Sequence, residues 1–217
     1  GNFNTSSITM TGSLILNAWT SGNLSTGNLT TSAGKILIEN WSAGSVTMGT
    51  VNLSSAVNVG GFEFKNSTMT SFGSNNISIT NGNLTFTNSK TTSTFSTSTI
   101  TLSNGGISIP AWTGGNFSTG NVTLSGNLSI SNWSSGTLTV GAITSTSGQV
   151  LIDNKTAGNT NIISLNLTNG NFQLTNSSGW TMSINNTYTS SIVGGNFLIE
   201  NSPVNFSMGF SHSLTVN

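Results

Sequence analysis

Eight of the 217 residues carry a formal charge and one is histidine, so the groups able to do acid, base or metal chemistry can be named in full. The acids are Glu39, Glu63, Asp153 and Glu200, the lysines are Lys35, Lys65, Lys90 and Lys155, His212 stands alone in the terminal stretch, and arginine and cysteine are absent. A Ser-His-Asp arrangement needs a base oriented by a neighbouring acid, and nothing near His212 supplies one. Glu39 and Glu63 are the pair to consider for glycoside hydrolysis. Lys65, however, falls at the position of Glu39 one repeat later and two residues after Glu63 on the same strand face. The three are expected to form a surface ion cluster worth about 0 to 1 kcal/mol per pair. The sequence therefore predicts no enzyme, no catalytic residue, no cofactor and no metal site, and without cysteine it excludes disulfides and thiolate chemistry.

Binding chemistry has more material. Trp19 and Trp41 share one position in adjacent repeats, as do Trp112 and Trp133, and strand parity turns all four outward as two stacked pairs. Such indoles either hold sugar faces or are covered by a neighbouring subunit. Packing against a neighbour is the preferred reading, because Ile15, Leu37, Leu151 and Leu198 are also apolar where the strand faces out. Asn-x-Ser/Thr triplets are dense, and Asn23, Asn28, Asn52, Asn116 and Asn121 are candidate glycosylation sites on a secreted protein. Ice binding asks for Thr-x-Thr pairs in register on a flat face. Thr9/Thr11 qualifies, but aligning equivalent places gives Thr31/Ala33, Ile79/Asn81, Thr123/Ser125 and Ser145/Ser147, a broken array.

The element that positions these residues is a short phrase, clearest at Gly126-Asn127-Leu128-Ser129-Ile130-Ser131-Asn132-Trp133. Its glycines are Gly12, Gly34, Gly60, Gly82, Gly105, Gly126, Gly148, Gly170 and Gly195, and its second apolar residues Leu16, Ile38, Phe64, Phe86, Ile109, Ile130, Ile152, Leu174 and Ile199. Self-similarity at about 21 to 26 residues marks a solenoid of stacked coils. Apolar residues two apart, as in Phe62/Phe64, share one side of a strand and line the interior. The glycine suits a corner with positive φ. Two residues past the second apolar position come Asn40, Asn66, Asn88, Asn132, Asn154, Asn176 and Asn201, with Ala18 and Ala111 in two copies. Parity turns this column inward as a ladder of stacked amides, so Asn40, Asn66, Asn132, Asn154 and Asn176, though in sequons, are expected to carry no glycan.

The fold class that follows is all-β: a single-stranded parallel β-helix of about nine coils of roughly 22 residues, a rod on the order of 43 Å long. One domain spans 1–217. The match of Ala18–Asn28 to Ala111–Asn121 indicates an internal duplication, 12–104 and 105–201. Residues 203–217 form a final coil, a cap or an inter-subunit strand. Wider spacing between Ile38 and Phe64 and between Leu174 and Ile199 predicts bulged corners or small loops.

Charged residues make up 4% of the chain and the net charge is zero, which removes the electrostatic footprint of a nucleic-acid or anionic-membrane binder. In a solenoid the shortage has a physical reason, since like charges stacked in one column repel. No apolar run approaches the roughly 18 residues of a membrane span, and the start at Gly1 has no leader, as expected of a processed product or an excised segment.

The phrase Gly12-Ser13-Leu14-Ile15-Leu16-Asn17-Ala18, repeated through Gly195 to Asn201, resembles the coils of filamentous-haemagglutinin-type adhesins. The resemblance implies an extracellular right-handed β-helix used as a stalk, adhesin or fibre. Neutral, sequon-dense chains are also similar to archaeal surface filament subunits. The expected function is structural: an extracellular subunit whose partner is another copy of itself, stacked head to tail into a filament, fibre or sheath. A glycan-binding adhesin stalk, an ice-binding protein and a β-helix polysaccharide lyase are the alternatives.

Overall fold

A computed structural model describes residues 1–55, 60–184, 190–208 and 214–216. The chain winds as a β-solenoid in which every strand pairs in parallel with its equivalent one coil away. Three strands make the first coil, Phe3–Thr5, Ile8–Met10 and Leu14–Asn17, and they begin three faces of the rod. The third face is a nine-stranded sheet of its own, from Leu14–Asn17 to Phe197–Glu200. The first and second faces belong to one 15-stranded sheet, because in the middle coils one continuous strand serves both, as in Thr68–Thr80 and Lys90–Leu102. Nine coils are complete, and Asn205–Met208 and Leu214–Val216 begin a tenth on the first two faces.

Register follows the phrase. Leu16 stacks on Ile38, Ile38 on Phe64 and Phe64 on Phe86, and the column continues through Ile130, Ile152 and Leu174 to Ile199. These side chains point inward as their two-residue spacing requires; Ile38 and Ile130 are buried. Mid-rod, the interior is aromatic: Phe64 lies on Phe86 with ring centroids 4.8 Å apart, and Phe95 on Phe117 at 4.4 Å. The two wide spacings fall largely on 56–59 and 185–189, outside the described residues, as does His212.

The corner glycines are explained by coil-to-coil approach rather than by positive φ. Of the nine, only Gly34 has a left-handed backbone, φ 115°. At Gly82, Gly105, Gly126, Gly148, Gly170 and Gly195 a Cβ would run into the backbone carbonyl oxygen of the glycine one coil earlier. Gly60 would meet Ser55 and Gly34 the backbone of Gly12. Gly12 itself has no neighbour within 4 Å of that position.

Candidate functional surfaces

The corner that ends each third-face strand reverses the expected side-chain parity. Asn40, Asn66, Asn88, Asn132, Asn154, Asn176 and Asn201 adopt φ between 48° and 54°, and Ala18 has φ 58°. Alternation holds only while the backbone is extended. One left-handed residue turns the chain, leaves the asparagine on the outer corner and sends the following residue inside. The asparagine column is thus exposed, not inward, and the argument that its sequons are shielded fails with it. Asparagine tolerates this conformation because its short polar side chain bonds locally. Amide bonds link the column only in places, on the surface: Asn154 Nδ2 donates to Asn132 Oδ1 at 2.7 Å and Asn88 to Asn66 Oδ1 at 3.4 Å, while Asn40 and Asn176 donate instead to Asn17 and Asp153 of the preceding coil, at 3.0 and 2.9 Å.

The tryptophans follow from the same reversal. Trp41, Trp112 and Trp133 are completely buried and Trp19 is partly buried against the core, so none of the four forms an outward pair. Their stacking is as expected from register, with Trp19 on Trp41 at 4.6 Å and Trp112 on Trp133 at 5.3 Å. Trp19, Trp112 and Trp133 each donate Nε1–H to the carbonyl of the glycine three residues on, for Trp133 the Gly136 oxygen at 2.9 Å. Where the slot holds serine instead, as at Ser67 and Ser177, the hydroxyl donates back to the carbonyl two residues before, at 2.9 Å.

One copy fills this slot with Lys155, whose side chain is fully buried. Its ammonium lies 5.1 Å from the Trp133 ring centroid and 5.0 Å from that of Trp180, and it donates to the Ala157 carbonyl. No carboxylate pairs with it among the described residues. Burial lowers its pKa from 10.5 to about 7. Sequence reasoning passed over both Lys155 and Trp180. The signal was available, since Asn154-Lys155 replaces the Asn-Trp or Asn-Ser of the other corners.

The expected three-residue cluster forms instead as two ion pairs, Glu63 being held by Lys35 rather than by Lys65. Lys65 binds Glu39 at 2.8 Å and Lys35 binds Glu63 at 3.5 Å, and Leu37 is buried on the same strand between Lys35 and Glu39. The Glu39 carboxylate, by hydrogen bond and then by charge, holds Lys65 above its usual pKa. Glu63 borders a shallow depression of about 220 Å³ with Lys35, Gly60, Gly61, Asn83 and Thr85. Both carboxylates proposed for hydrolysis are thus held by lysines. Among the described residues no three of His, Cys, Asp and Glu come together.

The candidate glycosylation residues Asn23, Asn28, Asn52, Asn116 and Asn121 are exposed. Four of them knit coils together: Asn23, Asn28, Asn116 and Asn121 accept the backbone N–H of Ser45, Thr50, Thr137 and Ala142 at 2.8 to 3.0 Å.

The second face differs most from its sequence reading. Thr31, Ile79 and Ser145, aligned by sequence with Thr9, in fact face inward. The outward column in true register is Thr30, Asn52, Ser78, Thr101, Thr123 and Thr144, with Thr9 before it and Asn166 after it. Its companion two residues on holds Ser54, Thr80, Ser103, Ser125, Thr146 and Thr168. Every place in both columns carries a hydroxyl or an amide, although only Thr9/Thr11 and Thr144/Thr146 are Thr-x-Thr pairs.

Comparison of the chain with protein-family models, curated proteins and solved structures returns no match.

Proposed function

We propose that the protein is a structural, extracellular β-solenoid module that assembles end to end into a surface filament, fibre or sheath, its partner being a second copy of itself. The observation carrying this reading is that the first coil is built as an interior coil. Gly12 keeps the glycine that later coils need beneath a neighbour's carbonyl, although its own Cβ position is open. Phe3 continues the column of Leu24 and Val46 but is 49% exposed, while those two are buried. The opposite edge is similarly open. Ile199 is 38% exposed and Phe197 only partly buried on a third-face strand with no strand above it among the described residues.

Open parallel edges of this kind template further pairing, and a contact between unlike ends propagates without closing. The near-neutral columns add no repulsion between stacked copies. An adhesin reading would draw on outward indoles as sugar platforms, and the four rings concerned lie in or against the core. Negative-stain electron microscopy with light scattering across a concentration series tests the proposal. Rods that lengthen with concentration are expected; short rods of constant mass at every concentration overturn it.

A further inference from the structure

We propose that the second face of the rod is an ice-binding surface. The inference stands apart from end-to-end assembly, since it needs only one folded rod. Its first support is register: Thr101, Thr123 and Thr144 stack directly over one another, and Ser103, Ser125 and Thr146 follow two residues on, just past the strand ends. Hydroxyls or amides of the first column therefore recur at about 4.8 Å from coil to coil. That spacing is comparable to an oxygen-row repeat of hexagonal ice. Because the sheet is parallel and unshifted here, the rows run straight over eight coils rather than over one hairpin.

The second support is that these groups have no structural task. No side chain of the column from Thr9 through Thr101 to Asn166 makes a hydrogen bond within the described molecule, and in the companion column only Ser125 does, donating to the Ser103 carbonyl at 2.5 Å. The asparagines that knit coils, Asn28 and Asn121 among them, lie beside the array rather than in it. Each free hydroxyl keeps one donor and two acceptor sites for water.

The third support is where the charges are. Among the described residues, six of the eight charged side chains sit on or at the edge of the third face, Lys155 is inside, and Lys90 begins a first-face strand. The second face has none. A charge binds its own hydration shell and would break a lattice of neutral donors and acceptors, so a neutral ordered water lattice is the partner this face fits. A crystalline polysaccharide offers a similar repeat, but sugar rings are gripped by exposed aromatic rings, and no described aromatic residue lies in either column.

The test uses the whole chain: thermal hysteresis by nanolitre osmometry and inhibition of ice recrystallisation. The unmodified protein is expected to show both. Thr101→Lys with Thr123→Lys should abolish them, as should the uncharged single variant Thr101→Tyr if stacked lysines disturb the fold. Ser108→Lys with Ser129→Lys, at the matching depth of the third face, should leave them intact, and circular dichroism melts establish that each variant is folded. Absence of hysteresis from the folded wild type overturns the proposal, as does a folded second-face variant that keeps it. Sedimentation with crystalline cellulose or chitin, blocked by Thr101→Tyr and unaccompanied by hysteresis, would assign the face to polysaccharide instead. Loss of filaments with hysteresis retained would leave this inference standing and remove the assembly reading alone.

Discussion

Lys155 makes the stability of this rod depend on pH in an unusual direction. Its folded pKa, about 7, lies below the 10.5 of the free side chain. Between those values the unfolded chain binds a proton that the folded chain does not, so stability rises with pH across that window and is lowest below it. From pH 6 to pH 9 the native amine is neutral over about two units, and at about 1.36 kcal/mol each the gain is at most about 2.7 kcal/mol. The ring faces of Trp133 and Trp180, about 5 Å from the ammonium, favour the charged form by about 0.5 to 2 kcal/mol each. They pull the transition upward: at about 0.5 kcal/mol each they raise it by about 0.7 units and leave a net gain of about 1.8 kcal/mol, and stronger ring contacts leave less. For a chain of this length that is a rise in Tm of at most about 4 to 7 °C.

The perturbation is Lys155→Met, which fills the slot with an unbranched apolar chain of similar length. Melts followed by circular dichroism at pH 6, 7, 8 and 9 should show the wild type gaining Tm through the series. Lys155→Met should be flat and at least as stable as the wild type at pH 6. The difference between the two profiles isolates Lys155 from His212 and the terminal amine. If the variant keeps the wild-type slope, or both are flat, the buried amine does not titrate as argued.

Gly148→Ala should destabilise by about 3 kcal/mol or more, because a Cβ there meets the Gly126 carbonyl and the coils must separate. Gly12→Ala, where that space is open, should change stability by less than about 0.5 kcal/mol in the single rod, and chemical denaturation of the two variants side by side is the check. Asn154→Ala should cost about 1 to 2 kcal/mol through its left-handed backbone, φ 50°. Asn154→Gly, free of that strain, should recover most of the loss; equal losses would place the cost in the Asn132 amide bond instead.

What was legible in the sequence was whatever repeats. The stack of Leu16, Ile38 and Phe64, the parallel pairing and the Glu39–Lys65 ion pair follow from period and from alternation along an extended strand. The corners were not legible in the same way. Asn40 and Trp41 were assigned sides by continuing the alternation, and a single residue at φ 54° inverted both assignments. From the outward column of the second face to the next corner glycine the chain runs three residues at Thr9 and Thr123, to Gly12 and Gly126, but four at Thr30, Ser78 and Thr144, to Gly34, Gly82 and Gly148. An alignment anchored on the next glycine therefore slips by one residue at Thr31, Ile79 and Ser145, and in a strand one residue exchanges inside for outside.

The sequence by itself determined that the chain coils, which residues stack vertically on the third face, and that the surface is nearly free of charge. Those properties are local or additive, set by a two-residue strand period and a repeat near 22 residues. The tertiary structure alone decided that the indoles and Lys155 are interior, that the asparagine column is exterior, and that the hydroxyls of the second face are aligned. Each of these depends on the sign of a backbone angle at a corner and on what lies one coil above and below, and neither quantity is carried by residue spacing within a single strand.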